Sequence, residues 1–99
     1  MKVHFRAKAL DDIQSIHRFR SREHSIEVAA AVEAAIFDTT KMLGRHPEFG
    51  ATTDHNDVRR WPMTEYDYAI FYLIDWQDQA LDVLRVVDGR YVRNLKRVP

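Results

Sequence analysis

A chain of 99 residues, 45% hydrophobic, with three glycines, three prolines and no cysteine has room for one compact domain, expected over 1–99, and excludes disulfides, thiolate zinc sites and a cysteine nucleophile. Fifteen basic and fifteen acidic residues leave no net charge, which excludes a protein that coats nucleic acid by neutralising phosphate. No apolar stretch approaches the ~18 residues of a membrane span and no signal-peptide core opens the chain, so no membrane partner and a cytoplasmic location are expected. The charge is nonetheless segregated: residues 1–22 sum to +4, residues 23–89 to −8 and residues 90–99 to +4. Basic ends flank an acidic middle, which either engages a partner or is satisfied within the fold.

Val3 and Phe5 alternate with His4 and Arg6 as in a short strand. Ala9, Leu10, Ile13, Ile16 and Phe19 then recur at helical spacing, predicting an amphipathic helix over 7–22 with Asp11 and Asp12 placed early for its dipole. Arg18, Arg20 and Arg22 load its last turns with cations, a helix-end preference that is also open to reading as a binding patch. Ser25 is an N-cap for a second helix over 26–43, whose stripe is Val28, Val32, Ala35, Ile36 and Leu43; Gly44 and Pro47 end it. The two helices are natural antiparallel neighbours. Residues 45–57 read as loop.

A short strand follows over 58–61, and Pro62 marks it as an edge or a bulge. Tyr66, Tyr68, Ile70, Tyr72, Ile74 and Trp76 fall on one face of the next extended run, with Ala69, Phe71 and Leu73 on the other, so that strand is central. After a turn at Gln77-Asp78-Gln79, a last strand runs from 81 to 87, with Leu81, Val83 and Val87 expected on one side and Leu84 and Val86 on the other. The order β-α-α-β-β-β predicts an α+β domain, a helical hairpin packed on a small, mostly antiparallel sheet, followed by a basic C-terminal tail over 90–99.

The five histidines show no i, i+4 pair, so no metal site is expected, and the glycines at 44, 50 and 89 make no phosphate-cradling loop, so no cofactor is expected. No turn of glycines frames a serine nucleophile. The chemistry-bearing groups that remain are cations: Arg59, Arg60, Arg85, Arg90, Arg93, Lys96 and Arg97. Arginine forks onto carboxylate or phosphate, but Arg59 and Arg85 are equally open to pairing with Asp75 or Asp82. The aromatic set around Tyr72 reads first as sheet core, with a stacking platform or a partner groove as alternatives.

Several elements together resemble the ParE/RelE superfamily of type II toxin-antitoxin toxins, the plasmid-stabilisation proteins of bacteria. They are Ala9, Asp12, Ile13, Ile16 and Phe19; Leu43, Pro47 and Gly50; Arg59-Arg60-Trp61-Pro62; Tyr68-Ala69-Ile70-Phe71-Tyr72; and Leu84-Arg85-Val86-Val87-Asp88-Gly89-Arg90. The resemblance implies the RelE/ParE-like fold and a toxin held by a cognate antitoxin in a hetero-oligomer. Members that cleave mRNA on the ribosome carry an arginine after the tyrosine of the central strand, where this chain has Ala69, and a late tyrosine that falls near Lys96 here. Ala69 resembles the ParE branch, which inhibits DNA gyrase without covalent chemistry of its own. Two further departures are Arg6-Ala7 where Ser-Pro commonly opens the first helix, and Asp88 where many ParE members hold histidine.

The resemblance therefore implies a gyrase inhibitor that meets DNA only through gyrase or the antitoxin, and the cations Arg59, Arg60, Arg85, Arg90, Arg93, Lys96 and Arg97 are its expected target-facing set. Arg18, Arg20, Arg22, Phe19 and Tyr72 are the expected antitoxin contacts. The alternatives are a RelE-like mRNA interferase, with His55 or Tyr66 carrying a proton, and a non-toxic co-repressor module bound to its antitoxin.

Overall fold

A computed structural model describes residues 1–92 and 98–99, with Tyr91 and Val92 described by backbone alone. β1 (Lys2–Phe5) leads into α1 (Ala7–Glu23) and α2 (Ile26–Arg45). β2 (Ala51–Thr52), β3 (Val58–Pro62), β4 (Tyr68–Asp75) and β5 (Ala80–Asp88) follow, with a last turn of helix, α3 (Gly89–Val92).

The helical hairpin forms where the apolar spacing places it. Arg6 gives α1 no side-chain cap, as expected from Arg6-Ala7, whereas the Ser25 hydroxyl accepts the Val28 N–H at 3.1 Å and starts α2. The two helices bury Ala9 and Ile13 from α1 and Ala29, Val32, Ile36 and Leu43 from α2. His17 Nδ1 lies 2.9 Å from Glu33 Oε2, joining the two on the outer side. Gly44, expected just past α2, lies inside it. Its lack of a side chain serves packing instead, since a Cβ there would sit 3.0 Å from Val3 Cγ2 and 3.1 Å from the Met1 carbonyl. The first turn of α1 holds no acid, so Asp11 and Asp12 are not dipole-complementing residues.

The sheet order is β1-β5-β4-β3-β2, with β1 parallel to β5 and every other pair antiparallel. β2 arises in the segment expected to be loop, where Ala51 and Thr52 pair with Arg60 and Arg59. One face of the sheet carries Tyr68, Ile70, Tyr72, Ile74, Leu81, Val83 and Val86 against Ala9, Ile13, Val32, Ile36 and Leu43 of the helices. Fully burying one such side chain stabilises the fold by about 1.5–3 kcal/mol, and this layer is the main core. The opposite face gathers Val58, Ala69 and Phe71, flanked by Leu73, Leu84, Val87 and Val98. β4 is thus buried on both faces, as its sequence requires.

The sides of β5 depart from simple alternation. Phe71 pairs with Arg85 and Tyr72 with Val83, so Leu84 is an extra residue in the ladder. A bulge reverses alternation beyond it. Val86 therefore joins Leu81 and Val83 under the helices and Val87 joins Leu84 on the far face, the reverse of the expected assignment. Among the described residues, no helix is long and apolar enough to cross a membrane.

Candidate functional site

The second half of α1 and the junction of β5 with α3 enclose an open groove of about 530 Å³. Ile16, Phe19 and Tyr68 form its apolar wall, while Ser15, Arg20, Asp67, Asp88 and Arg90 supply polar groups. Phe19 is 46% exposed, the mark of a core-period residue that overhangs rather than enters the core. Arg20 Nε donates to the Tyr68 hydroxyl at 3.1 Å, and its Cζ lies 5.6 Å from the Tyr68 ring centre and 5.8 Å from that of Tyr66. Its Nη1 also lies 3.4 Å from His24 Nε2, so the guanidinium is held by two rings, a hydroxyl and an imidazole, with part of its donor fork left toward the groove.

Across the groove, Asp88 accepts both the backbone N–H of Arg90 at 2.9 Å and its guanidinium at 2.7 Å. Those bonds hold the Asp88 carboxyl below its ordinary value, with the charge of Arg20 adding in the same direction. Gly89 makes the turn possible: its N–H donates to the Asp67 carbonyl at 2.7 Å, and a Cβ would lie 2.5 Å from Asp67 Oδ1. Asp67 and Ser15 were not singled out from sequence, because nothing local to either signals that α1 passes over the end of β5.

The other cations sit in different surroundings. Arg85 Nε and its terminal nitrogen donate to Asp12 at 2.8 and 3.0 Å, and the same carboxylate accepts the Val86 N–H at 2.9 Å. β1 pairs with β5 only over Ala80 to Val83, so Asp12 satisfies an edge N–H that β1 does not reach. Arg85 therefore braces α1 against the sheet, with a partner, Asp12, distant in sequence from the Asp75 and Asp82 considered above. The bond to Asp12 also raises the Arg85 pKa. Asp82 instead takes Arg6, at 2.8 Å. Arg59 donates to the carbonyls of Gly50 and Glu48 at 2.8 and 3.3 Å, and Arg60 lies beside it on β3. Arg18 donates to Ser15 at 3.3 Å and Arg22 to Glu23 at 3.2 Å, both at the surface. Tyr72, expected to touch an antitoxin, has no exposed surface. Its hydroxyl donates to the Pro47 carbonyl at 2.6 Å and accepts the Gly50 N–H at 2.9 Å, so it holds the α2–β2 loop from within. Arg93, Lys96 and Arg97 lie outside the described residues.

The family of the ParE toxin of type II toxin-antitoxin systems, parDE, matches residues 3–92. The chain belongs to this family. Among solved structures it is similar to a chain of the chromosomal ParDE toxin-antitoxin system from P. aeruginosa, at 18% identity and a TM-score of 0.77 over 89% of this chain and 95% of that one. It is also similar to a chain of the intact E. coli RelBE toxin-antitoxin complex, at 12% identity and a TM-score of 0.66 over 88% and 94% of the two chains. The isolated E. coli RelE toxin follows at 13% identity and 0.64, over 89% and 83%. At such identities these likenesses establish a shared fold. No curated protein sequence matches the chain.

In this ParE-family toxin, Ala69 stands directly after Tyr68 and is buried with Phe71 and Val58 on the far face of the sheet. The aromatic set is mostly core: Tyr68, Phe71 and Tyr72 are buried and Trp61 and Tyr66 partly so, while Trp76 is half exposed. Among the described residues, no three His, Asp or Glu side chains converge as metal ligands would.

Proposed function

We propose that this chain is the toxin of a type II pair, neutralised by a small protein antitoxin and, when released, poisoning DNA gyrase by binding it. The observation that carries this reading is Ala69: where the mRNA-cleaving relatives it resembles hold an arginine, this chain has a methyl group packed under Phe71 and Val58. Phosphodiester cleavage needs positioned proton donors and acceptors and a cation on the developing charge. Here Arg85 is engaged by Asp12 and Arg59 by two backbone carbonyls, which favours a binding protein over a nuclease.

The antitoxin partner is supported by neighbours solved as ParDE and RelBE complexes. The groove beside Phe19 suits a segment that presents apolar side chains to Ile16 and Tyr68 and a carboxylate to Arg20. An acidic segment that folds as it binds has that chemistry. The basic tail over 90–99 carries the remaining target-facing cations.

Inducing the chain without antitoxin tests the target. A gyrase poison raises the SOS response before protein synthesis falls, and the purified chain then accumulates cleaved DNA in a gyrase reaction. Early loss of translation with intact supercoiling identifies a ribosome-directed nuclease instead, and harmless expression identifies a co-repressor module. Changing Arg93, Lys96 and Arg97 together to Gln tests the tail without removing Val98, which packs against the Phe71 face. Toxicity should fall while antitoxin binding persists.

A further inference from the structure

Both long helices pack on one face of the sheet, and in such an arrangement the opposite face is commonly solvated. Here it is not. Phe71, on the central strand, has no exposed surface on that face, and Ala69 and Val58 beside it are each 3% exposed. A phenyl ring with no helix over it needs another cover. Its apolar surroundings on the strands are Val58, Leu73, Leu84 and Val87, and among the described residues one member of the cluster comes from outside the sheet: Val98. The next-to-last residue of the chain is thus partly buried against this face, well beyond the end of α3 at Val92.

Chain ends fray unless something ties them down, and the run from Arg93 carries three cations, Arg93, Lys96 and Arg97, that repel one another. An apolar residue at its far end gives that run a second point of attachment. We propose that the far face of the sheet is the docking site of the chain's own carboxyl-terminal segment, residues 93–99, held through Val98, and that this attachment positions the tail's cations for the target. Val98 is then a positioning residue. Its positioning role rests on the gyrase reading above; the docking itself does not.

The chain's own end is favoured over any other occupant because Val98 already lies there, and because a short tether keeps it at an effective concentration that a separate molecule rarely matches. Joined to α3 at one end and to the Phe71 face at the other, the cations lose less freedom on meeting a partner than those of a tail attached once. Register adds a further element. Arg60 stands opposite Phe71 on β3, so the same face carries a cation of the expected target-facing set within the sheet itself.

The test compares the wild-type chain with Val98→Asp and Val98→Ile. Trypsin cleavage after Arg93, a bond neither substitution touches, is followed by intact mass, with Tm, antitoxin affinity and inhibition in a purified gyrase supercoiling reaction measured beside it. Val98→Asp sets a charge against Phe71, so cleavage should quicken about tenfold or more and inhibition should weaken at least about threefold. Tm should move by no more than a few degrees, because Val98 lies at the chain end, and antitoxin affinity should hold. Val98→Ile keeps the apolar contact and should keep wild-type values throughout. Equal cleavage in wild type and Val98→Asp overturns the docking. Protection that grows with protein concentration moves Val98 onto a second copy's sheet, and lost antitoxin affinity with full inhibition gives the face to the antitoxin; each overturns the inference. Faster cleavage with unchanged inhibition overturns the positioning role and leaves the gyrase reading intact. A wild-type chain without effect on gyrase overturns that reading and the positioning role together, while the cleavage rates still decide the docking.

Discussion

Asp12 on α1 and Arg85 on β5, 73 positions apart, meet through two charge-assisted hydrogen bonds, and the same carboxylate also holds the Val86 N–H. The pair stands where the bulge at Leu84 and the end of β1 leave the edge of β5 unpaired. Asp12→Ala strands a guanidinium and a backbone N–H together, so it should cost about 2–3 kcal/mol in urea unfolding. Arg85→Ala leaves Asp12 one donor, Val86, and should cost less. If Arg85 is a brace, the toxicity of Arg85→Ala should fall only as far as the amount of folded protein falls; a normally folded, inactive variant would return Arg85 to the target-facing set.

How much of this was legible in the sequence depended on the range over which each feature is decided. The Ser25 cap, the α2 stripe and the two-faced apolarity of β4 are written within one or two turns or alternations, and they appear in the structure as expected. The Val86 and Val87 assignment failed because a bulge carries no signature in Leu84 or its neighbours; it emerges from pairing with β4. Asp12 was misread for a related reason. Its spacing fits a helix start, but its partner comes from a strand at the far end of the chain. Tyr72 carries a hydroxyl, the ordinary mark of a surface aromatic, and only the docked loop supplies its two buried partners.

Tyr72→Phe isolates that hydroxyl. The variant keeps the ring in the core but leaves the Gly50 N–H without its acceptor, a loss of about 1–3 kcal/mol. Burial raises the Tyr72 pKa above its ordinary 10.0. The unfolded chain therefore releases this proton first, so wild-type stability should decline as pH rises past about 10. The variant should start lower at neutral pH and show a shallower alkaline decline, read from urea midpoints across pH 8–11.

Asp88 sets the opposite limb. Its hydrogen bonds to Arg90 hold its pKa below the ordinary 3.8, so the folded state favours the carboxylate. That contribution is complete above the ordinary value and is lost as pH falls through the depressed one. Arg90 is 71% exposed, so screening limits the pair to about 0.5 kcal/mol. Asp88→Asn should flatten the acid limb below pH 4 by that amount, with neutral stability lowered equally.

Arg20 gives the sharpest test of the groove as the antitoxin site. Its guanidinium lies over Tyr66 and Tyr68 and bonds the Tyr68 hydroxyl, so part of its fork is committed inward and part is left for an incoming carboxylate. Lysine cannot reproduce both functions, because a point charge neither stacks on two rings nor forks. Arg20→Lys and Arg20→Ala should therefore both weaken antitoxin binding by calorimetry, about tenfold or more, with the lysine variant recovering little. Removing Phe19 by Phe19→Ala should weaken binding without altering its salt dependence, whereas Arg20→Ala should reduce that dependence, since only Arg20 contributes charge. Cells carrying either variant beside a normal antitoxin should lose protection while the toxin itself stays active. Wild-type affinity in both variants would place the antitoxin elsewhere on the chain.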